Sequence, residues 1–217
     1  THFYFPFPDY KLPQLMISES VIHDYPEINF GELISNFGYE SKYFSPPLHY
    51  DQHLVWSEIA KNKLIPDMSN SFVVTAHKSS PSHVQHERDI IFLSSPTRSL
   101  DCQVKTICTR KNGALEVHKD PLASDPSKLL NIKKKSPWHC GHSLSFIWYR
   151  YLLKHEHSLD QFYNYIQIWC SSMAPTYKTN PLLSGDKVDY VPWNIIQGKK
   201  EVVAFDFEWS LPMDIPC

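Results

Sequence analysis

Glycine is scarce in this chain, with six in 217 residues against seventeen prolines. No glycine-rich turn of the kind that cradles a dinucleotide or a phosphate chain exists in it, and Gly31 and Gly38 each stand alone. Prolines at that density favour extended connections over long uninterrupted helices. The five cysteines (Cys102, Cys108, Cys140, Cys170 and Cys217) are odd in number, scattered and never spaced C-x-x-C. That pattern argues against a disulfide framework and points to a reducing, cytoplasmic setting. No apolar run approaches the ~20 residues needed to cross a bilayer, so no transmembrane segment is expected. The opening residues have neither an initiator Met nor a positive segment before an apolar core, so they do not read as a signal peptide but as the interior of something longer. A formal net charge of -2 gives no reason to expect nucleic acid as a partner. What is present is ample core material, 42% hydrophobic and 14% aromatic, enough for one domain or two small ones.

The most informative stretch lies near the end. Asp189-Tyr190-Val191-Pro192-Trp193-Asn194-Ile195-Ile196 is followed by Val202-Val203-Ala204-Phe205-Asp206-Phe207-Glu208. The intervening Gln197-Gly198-Lys199-Lys200 reads as a hairpin turn in which Gly198 supplies unusual backbone angles. Phosphoryl transfer needs one carboxylate to orient the acceptor hydroxyl, with an amide and a second carboxylate to hold Mg²⁺. Asp189 and Asn194 stand five apart, the spacing of a kinase catalytic loop, and Asp206 follows where a second metal-binding carboxylate belongs.

D-Y-V-P-W-N-I-I…F-D-F-E-W resembles the H-G-D-x-x-P-W-N…D-x-E-W signature of aminoglycoside phosphotransferase-like small-molecule kinases. Similar kinase domains occur fused behind methyltransferase domains in bacterial surface-glycan gene clusters. The resemblance implies ATP and Mg²⁺ as cofactors and a sugar or surface-glycan hydroxyl as acceptor. It makes Asp189 the catalytic base and Asn194 and Asp206 the metal ligands. The bland alternative is an ordinary hairpin with a polar approach loop.

Upstream, F-P-F-P-D-Y-K-L-P and S-N-S-F-V-V-T-A are similar to the tail of the class I methyltransferase domains fused to these kinases. In such a fold the S-adenosylmethionine turn lies before Thr1, so no such site is expected here. Within this tail, residues 15–18 read as a strand, 29–34 and 53–60 as short helices (Leu54 and Ile59 on the buried face of the second), and 70–76 as a final buried strand. Residues 79–90 are polar and aperiodic, a linker. His83 and His86 within it read as solvated surface rather than a metal site.

From residue 90 the pattern is β-like: 90–93, 103–109 and 114–119, with Asn112-Gly113 marking a tight hairpin. Val117 and Lys119 alternate onto one face. The family's V-x-K strand implies that Lys119 grips nucleotide phosphates; the alternative is an edge-strand surface lysine. Gly141-His142-Ser143-Leu144 resembles the family's G-x-S-L helix entry. Residues 143–154 and 159–170 read as amphipathic helices, the first capped by Ser143, with Leu144, Ile147, Trp148, Tyr151 and Leu152 buried on it. Leu159, Phe162, Tyr163, Ile166 and Trp169 or Cys170 form the buried stripe of the second. His155-Glu156-His157 between them reads as a solvated turn. His139, Cys140 and His142 lack the second pair a structural zinc site needs.

Three departures mark the kinase-like part as cut down. No Glu occurs between Glu116 and Glu156 to pair with Lys119, and residues 128–135 are basic instead. Only 21 residues separate Lys119 from Gly141, room for at most one short helix and one strand. Lys187-Val188 replaces His-Gly before Asp189, where a valine forced to positive φ would be strained. Ser184-Gly185-Asp186 could supply the carboxylate instead, but Asp186 lies eight residues from Asn194, which breaks the spacing.

The expected fold is therefore mixed α+β: a partial methyltransferase C-terminal region over 1–78, a linker over 79–90 and a shortened kinase-like domain over 91–217. Three functions remain: an ATP- and Mg²⁺-dependent small-molecule phosphotransferase, a non-catalytic remnant or scaffold, or a methyltransferase piece lacking its cofactor-binding half.

Overall fold

The computed structural model describes residues 1–26, 28–37, 51–76, 78, 88–93, 97–153, 158–177, 182–198, 201–206, 208–213 and 215–216. Gly38, His83, His86, residues 155–157, Lys199 and Lys200 lie outside them. The chain forms two compact units, Thr1–Ser124 with Lys134–Trp138, and Asp125–Lys133 with His139–Cys217. Helices and antiparallel sheets are mixed in it, an α+β organisation.

In the first unit, alternating apolar residues build β1 (His2–Phe7), β2 (Leu15–Ser18), β3 (Val73–Thr75), β4 (Arg88–Leu93), β5 (Val104–Lys111), β6 (Ala114–Pro121) and β7 (Lys135–Pro137). They form one sheet in the order β3-β1-β2-β4-β5-β6-β7, each pair antiparallel. Residues 79–87 of the expected linker lie outside the described residues. Beyond them, Ile90, Ile91 and Phe92 of β4 pair with Ile17, Met16 and Leu15 of β2. The β5–β6 hairpin closes through Asn112 and Gly113, both at positive φ (51° and 78°), the geometry that Asn-Gly makes cheap.

One face of the sheet carries the core. Phe5, Phe7, Leu15, Ile17, Ile90, Cys108 and Leu115 meet Val21 and Ile22 of α1 (Glu19–Asp24), Phe30 and Ile34 of α2 (Phe30–Ser35) and Ile65 of α4 (Ile65–Met68). The helix α3 (Gln52–Lys61) adds Trp56, Ile59 and Ala60, while Leu54, expected inward, is exposed. Side chains cap two of these helices: Asn29 Oδ1 accepts from the Glu32 amide at 3.3 Å and Asp51 Oδ1 from the Leu54 amide at 3.1 Å. Gly31 lets α2 approach α3 closely, since a Cβ there would lie 2.5 Å from Ser57 Cα. A bulge between Arg88 and Ile90 turns Asp89 into the core, where Arg110 Nε donates to its Oδ1 at 3.1 Å; Arg110 also bonds Asp24. Burial lowers the Arg110 pKa, and the bonds to Asp89 and Asp24 outweigh that and leave it raised.

β3 corrects one expectation. Its β-rich run suggests a buried strand, but it is the sheet's edge, with Phe72 and Val74 exposed. Apolar composition does not distinguish an edge from a centre.

The second unit holds β8 (His142–Ser143), α5 (Leu144–Leu152), α6 (Leu159–Tyr177), β9 (Leu182–Leu183), β10 (Ile195–Gln197), β11 (Val202–Ala204) and β12 (Ile215–Pro216). Ser143 caps α5 as expected, its Oγ accepting from the Phe146 amide at 3.1 Å. Leu144, Phe146 and Tyr151 are buried on α5, and Leu152, expected inward, is exposed. The helix α6 runs beyond residue 170, and Leu159, Tyr163 and Cys170 of its expected stripe are exposed. Phe162 and Trp169 do pack, both edge-on to Trp148 with centroids 6.1 and 6.0 Å away.

Candidate active site

The loop that carries Asp189 is built by local backbone chemistry. Residues Gly185–Lys187 form a 3₁₀ turn, and Tyr190 N–H donates to Lys187 O at 3.0 Å. Val188 sits at φ -57°, ψ -30°, ordinary right-handed geometry, so the strain expected from a valine in place of glycine is absent. The loop reaches Asp189 without needing a positive φ. Val191 is extended and Pro192 opens a second 3₁₀ turn, Pro192–Asn194, in which its missing N–H costs nothing.

Asn194 then closes the loop on itself. Its Nδ2 donates to Asp189 O at 3.0 Å, and its backbone N–H donates to Val191 O at 2.9 Å. Its carbonyl accepts from Phe205 N–H at 2.9 Å, which ties the loop to the chain just before Asp206. Buried Ile195 anchors β10, and β10 pairs with β11 and β8. The hairpin forms as expected, with Gly198 N–H donating to Glu201 O at 2.9 Å, but Gly198 is not among the positive-φ residues. Trp169 Nε1 donates to Tyr190 O at 3.2 Å, so α6 braces the same loop.

Asp206 follows β11, is exposed, and adopts φ 61°, the left-handed region. Its carbonyl accepts from Glu208 N–H at 2.9 Å. The Asp189 carboxylate reaches the same segment: Oδ2 accepts from Glu208 N–H at 2.9 Å and from Trp209 N–H at 3.0 Å. Asp189, Asn194 and Asp206 thus belong to one hydrogen-bonded knot. Asp189 is half-buried within it and is bound to backbone through one of its oxygens.

A strap from residues 129–131 lies along the other edge of that segment. Asn131 N–H donates to Glu208 O at 2.7 Å and Ser210 N–H to Leu129 O at 2.8 Å, with a bridge between Leu130 and Trp209. Sequence reasoning missed this strap and the amides of Glu208 and Trp209. Backbone donors carry no residue signature, and the apolar Leu129-Leu130-Asn131-Ile132 is the sole hint.

Lys119 stands in the first unit, half-buried on β6 opposite Thr106 and on the same sheet face as Val117, as the alternation suggests. No helix occurs between β6 and β7, where one carrying a pairing glutamate would lie. The 21-residue gap makes the strap and the short β7 instead. Asp186, the alternative carboxylate, has no described side chain.

Asn194 and Asp206 fit a magnesium ion chemically. The amide nitrogen of Asn194 is spent on Asp189 O, which assigns its Oδ1 as the acceptor atom, and Asp206 adds an exposed carboxylate. Hard oxygen donors of this kind suit Mg²⁺. Among the described residues no group of three or more His, Cys, Asp and Glu side chains comes together, His139, Cys140 and His142 included. No helix is long and apolar enough to cross a membrane, among the described residues. No family model, no curated protein and no solved structure matches this chain.

Proposed function

We propose that this chain is a phosphotransferase-like protein that binds ATP with Mg²⁺ and presents a phosphoryl-transfer site to a sugar or surface-glycan hydroxyl. The observation that carries the reading is the knot: Asn194 Nδ2 on Asp189 O, and the Asp189 carboxylate on the amides that follow Asp206. An ordinary hairpin requires neither contact. Magnesium, when bound to Asn194 and Asp206, would neutralise phosphate charge. Within the second unit Asp189 would orient the acceptor hydroxyl; Lys119 belongs to the first unit and enters this reading through the family resemblance alone. The first 78 residues would be the tail of a methyltransferase-like domain, here continuous in one sheet with β4 to β7.

Titration calorimetry with millimolar ATP and Mg²⁺ tests the nucleotide reading. Weak, Mg²⁺-dependent heat that Asp206→Ala abolishes is expected, and no heat from the unaltered chain overturns it. A second reading, a binding scaffold without turnover, is favoured by two observations. The Asp189 carboxylate is engaged by backbone, and no helix lies between β6 and β7. ATP binding without ADP formation in the presence of any sugar acceptor would select it.

A further inference from the structure

Five of the six tryptophans are engaged by the fold. Trp56 packs edge-on to Phe7, Trp138 stacks on Phe92, and Trp148 and Trp169 meet each other, while the backbone of Trp209 bridges to Leu130. Trp193 differs. It is 63% exposed, and its indole makes no ring contact or hydrogen bond with any described residue. The backbone that presents it is nevertheless held on both sides. Pro192 has a fixed φ before it, and Asn194 after it donates to Val191 O at 2.9 Å and, through Nδ2, to Asp189 O at 3.0 Å. Ile195 is fully buried, and the 3₁₀ turn that carries the indole lies against α5 and β8. A large apolar ring kept in water on a pinned turn gains free energy when a ligand covers it, and little ordering is left to oppose that gain.

The groups around this turn are oxygen acceptors. Asn194 touches Asp189, so the indole leaves the loop beside that carboxylate, and exposed Asp206 follows Phe205, whose N–H is bound to Asn194 O. Two more exposed apolar side chains, Leu211 and Met213, stand on the segment that the loop holds. Leu211 N–H donates to Gly185 O at 3.0 Å, and a Cβ on Gly185 would lie 2.1 Å from Leu211 O. A pyranose matches such a mixture, because one face of its ring is C–H and its rim is hydroxyl. An indole covers the face, and carboxylate and amide oxygens accept from the rim. An adenine also stacks on an indole, but a ribose and a triphosphate would separate it from a metal at Asn194 and Asp206. Trp193 adjoins Asn194 directly.

We propose that Trp193 is a sugar-binding platform, on which a pyranose ring lies with its C–H face against the indole. That this sugar is the phosphoryl acceptor rests on the reading above, whereas the binding of a sugar by the indole does not.

The test uses the full chain and the methyl glycosides of glucose, galactose, mannose and N-acetylglucosamine, each with and without ATP–Mg²⁺, with sorbitol as an acyclic control. Saturation-transfer difference NMR is read for the unaltered chain, Trp193→Phe, Trp193→Ala and Tyr163→Ala. The last removes a ring of similar exposure (61%) from α6. Expected is binding of at least one glycoside, with saturation concentrated on the C–H protons of one ring face, and no binding of sorbitol. Affinity should fall about tenfold in Trp193→Ala, the size of a lost stacking contact. It should fall less in Trp193→Phe and stay unchanged in Tyr163→Ala. The melting temperature of Trp193→Ala should not change, which separates a lost ligand contact from a damaged fold. No glycoside binding under either condition, sorbitol bound as well, unaltered binding by Trp193→Ala, or an equal loss in Tyr163→Ala overturns the platform. ATP–Mg²⁺ binding that weakens in Trp193→Ala while no glycoside binds assigns the ring to the base and overturns it too. Glycoside binding that depends on Trp193 without any ATP–Mg²⁺ binding upholds the platform and overturns the nucleotide reading. ATP–Mg²⁺ binding untouched by Trp193→Ala, with no glycoside bound, does the reverse.

Discussion

Asp189→Ala separates a structural duty of this carboxylate from a chemical one. Oδ2 accepts two backbone N–H groups, Glu208 at 2.9 Å and Trp209 at 3.0 Å, in a half-buried setting. A hydrogen bond to a charged group contributes ~1.5–3 kcal/mol net, and two that share one oxygen and face solvent fall short of the sum. About 2–3 kcal/mol is therefore lost from the local opening equilibrium, a factor of roughly 30 to 150. Amide hydrogen exchange reads it directly. The Glu208 and Trp209 amides should exchange faster by that factor in Asp189→Ala. Asn131 and Ser210 should follow, because their own bonds run to the same segment. The Phe146 amide, held by the Ser143 cap, should not change.

Asp189→Asn keeps an acceptor oxygen and loses the charge, so its amides should exchange less than about tenfold faster. Undiminished protection at Glu208 and Trp209 in Asp189→Ala refutes the bracing of this segment by the Asp189 carboxylate. So does an Asn variant as damaged as the Ala variant. The pair also calibrates any activity measurement. A turnover loss in Asp189→Ala mixes a disordered segment with a missing base, whereas a loss in Asp189→Asn with protected amides isolates the chemistry.

Two further outcomes concern the first unit. Gly31→Ala should destabilise by ~1–3 kcal/mol, although Gly→Ala inside a helix ordinarily gains up to ~1 kcal/mol, because its Cβ would meet Ser57 Cα at 2.5 Å and Ser57 N and Trp56 O at 2.8 Å, all backbone. An unchanged or raised denaturation midpoint would show that α2 and α3 do not pack at this distance. Burial, with Asp89 adding to it and Lys119 opposing, pushes the Cys108 thiol well above its ordinary value. The folded protein thus keeps a proton that the unfolded chain releases above about pH 8.5, and stability should fall above that pH by up to ~1.4 kcal/mol per unit. Cys108→Ala should flatten that slope. Peptide mapping after native alkylation should find label on exposed Cys140 and Cys170 and none on Cys108, and label on Cys108 without unfolding would contradict its burial.

Much of the local structure was legible because it is decided locally. Asn112-Gly113, the Ser143 cap and the alternation through Val117 and Lys119 need only a few neighbouring residues, and each is found where the sequence puts it. What failed depends on partners distant in the chain. Residues 70–76 read as a buried strand because their composition is apolar, but burial depends on a second neighbour that β3 lacks among the described residues. Leu159 and Tyr163 satisfy a helical period, yet a period names a face without naming anything to cover it. In the candidate site the five-residue spacing was enough to find the loop. It was not enough to find how the loop is held, since Asp189 is fixed by backbone amides 19 and 20 residues away.

That distant bracing bears on Asp206. A non-glycine residue at φ 61° is held at a cost, smaller for Asp than for most, and persists only where its surroundings fix it. Here they fix it from both sides. Phe205 is tied to Asn194 O before it, and after it Glu208 bonds both Asp206 O and the Asp189 carboxylate. The strap at 129–131 holds the outer edge of the same segment. A hairpin strand that merely ended at residue 204 would relax into extended backbone and lose nothing. A chain that instead spends a carboxylate, an amide side chain and a strap on keeping one exposed aspartate in the left-handed region fixes the Cα–Cβ direction of that residue, as the proposed metal-ligand role would require.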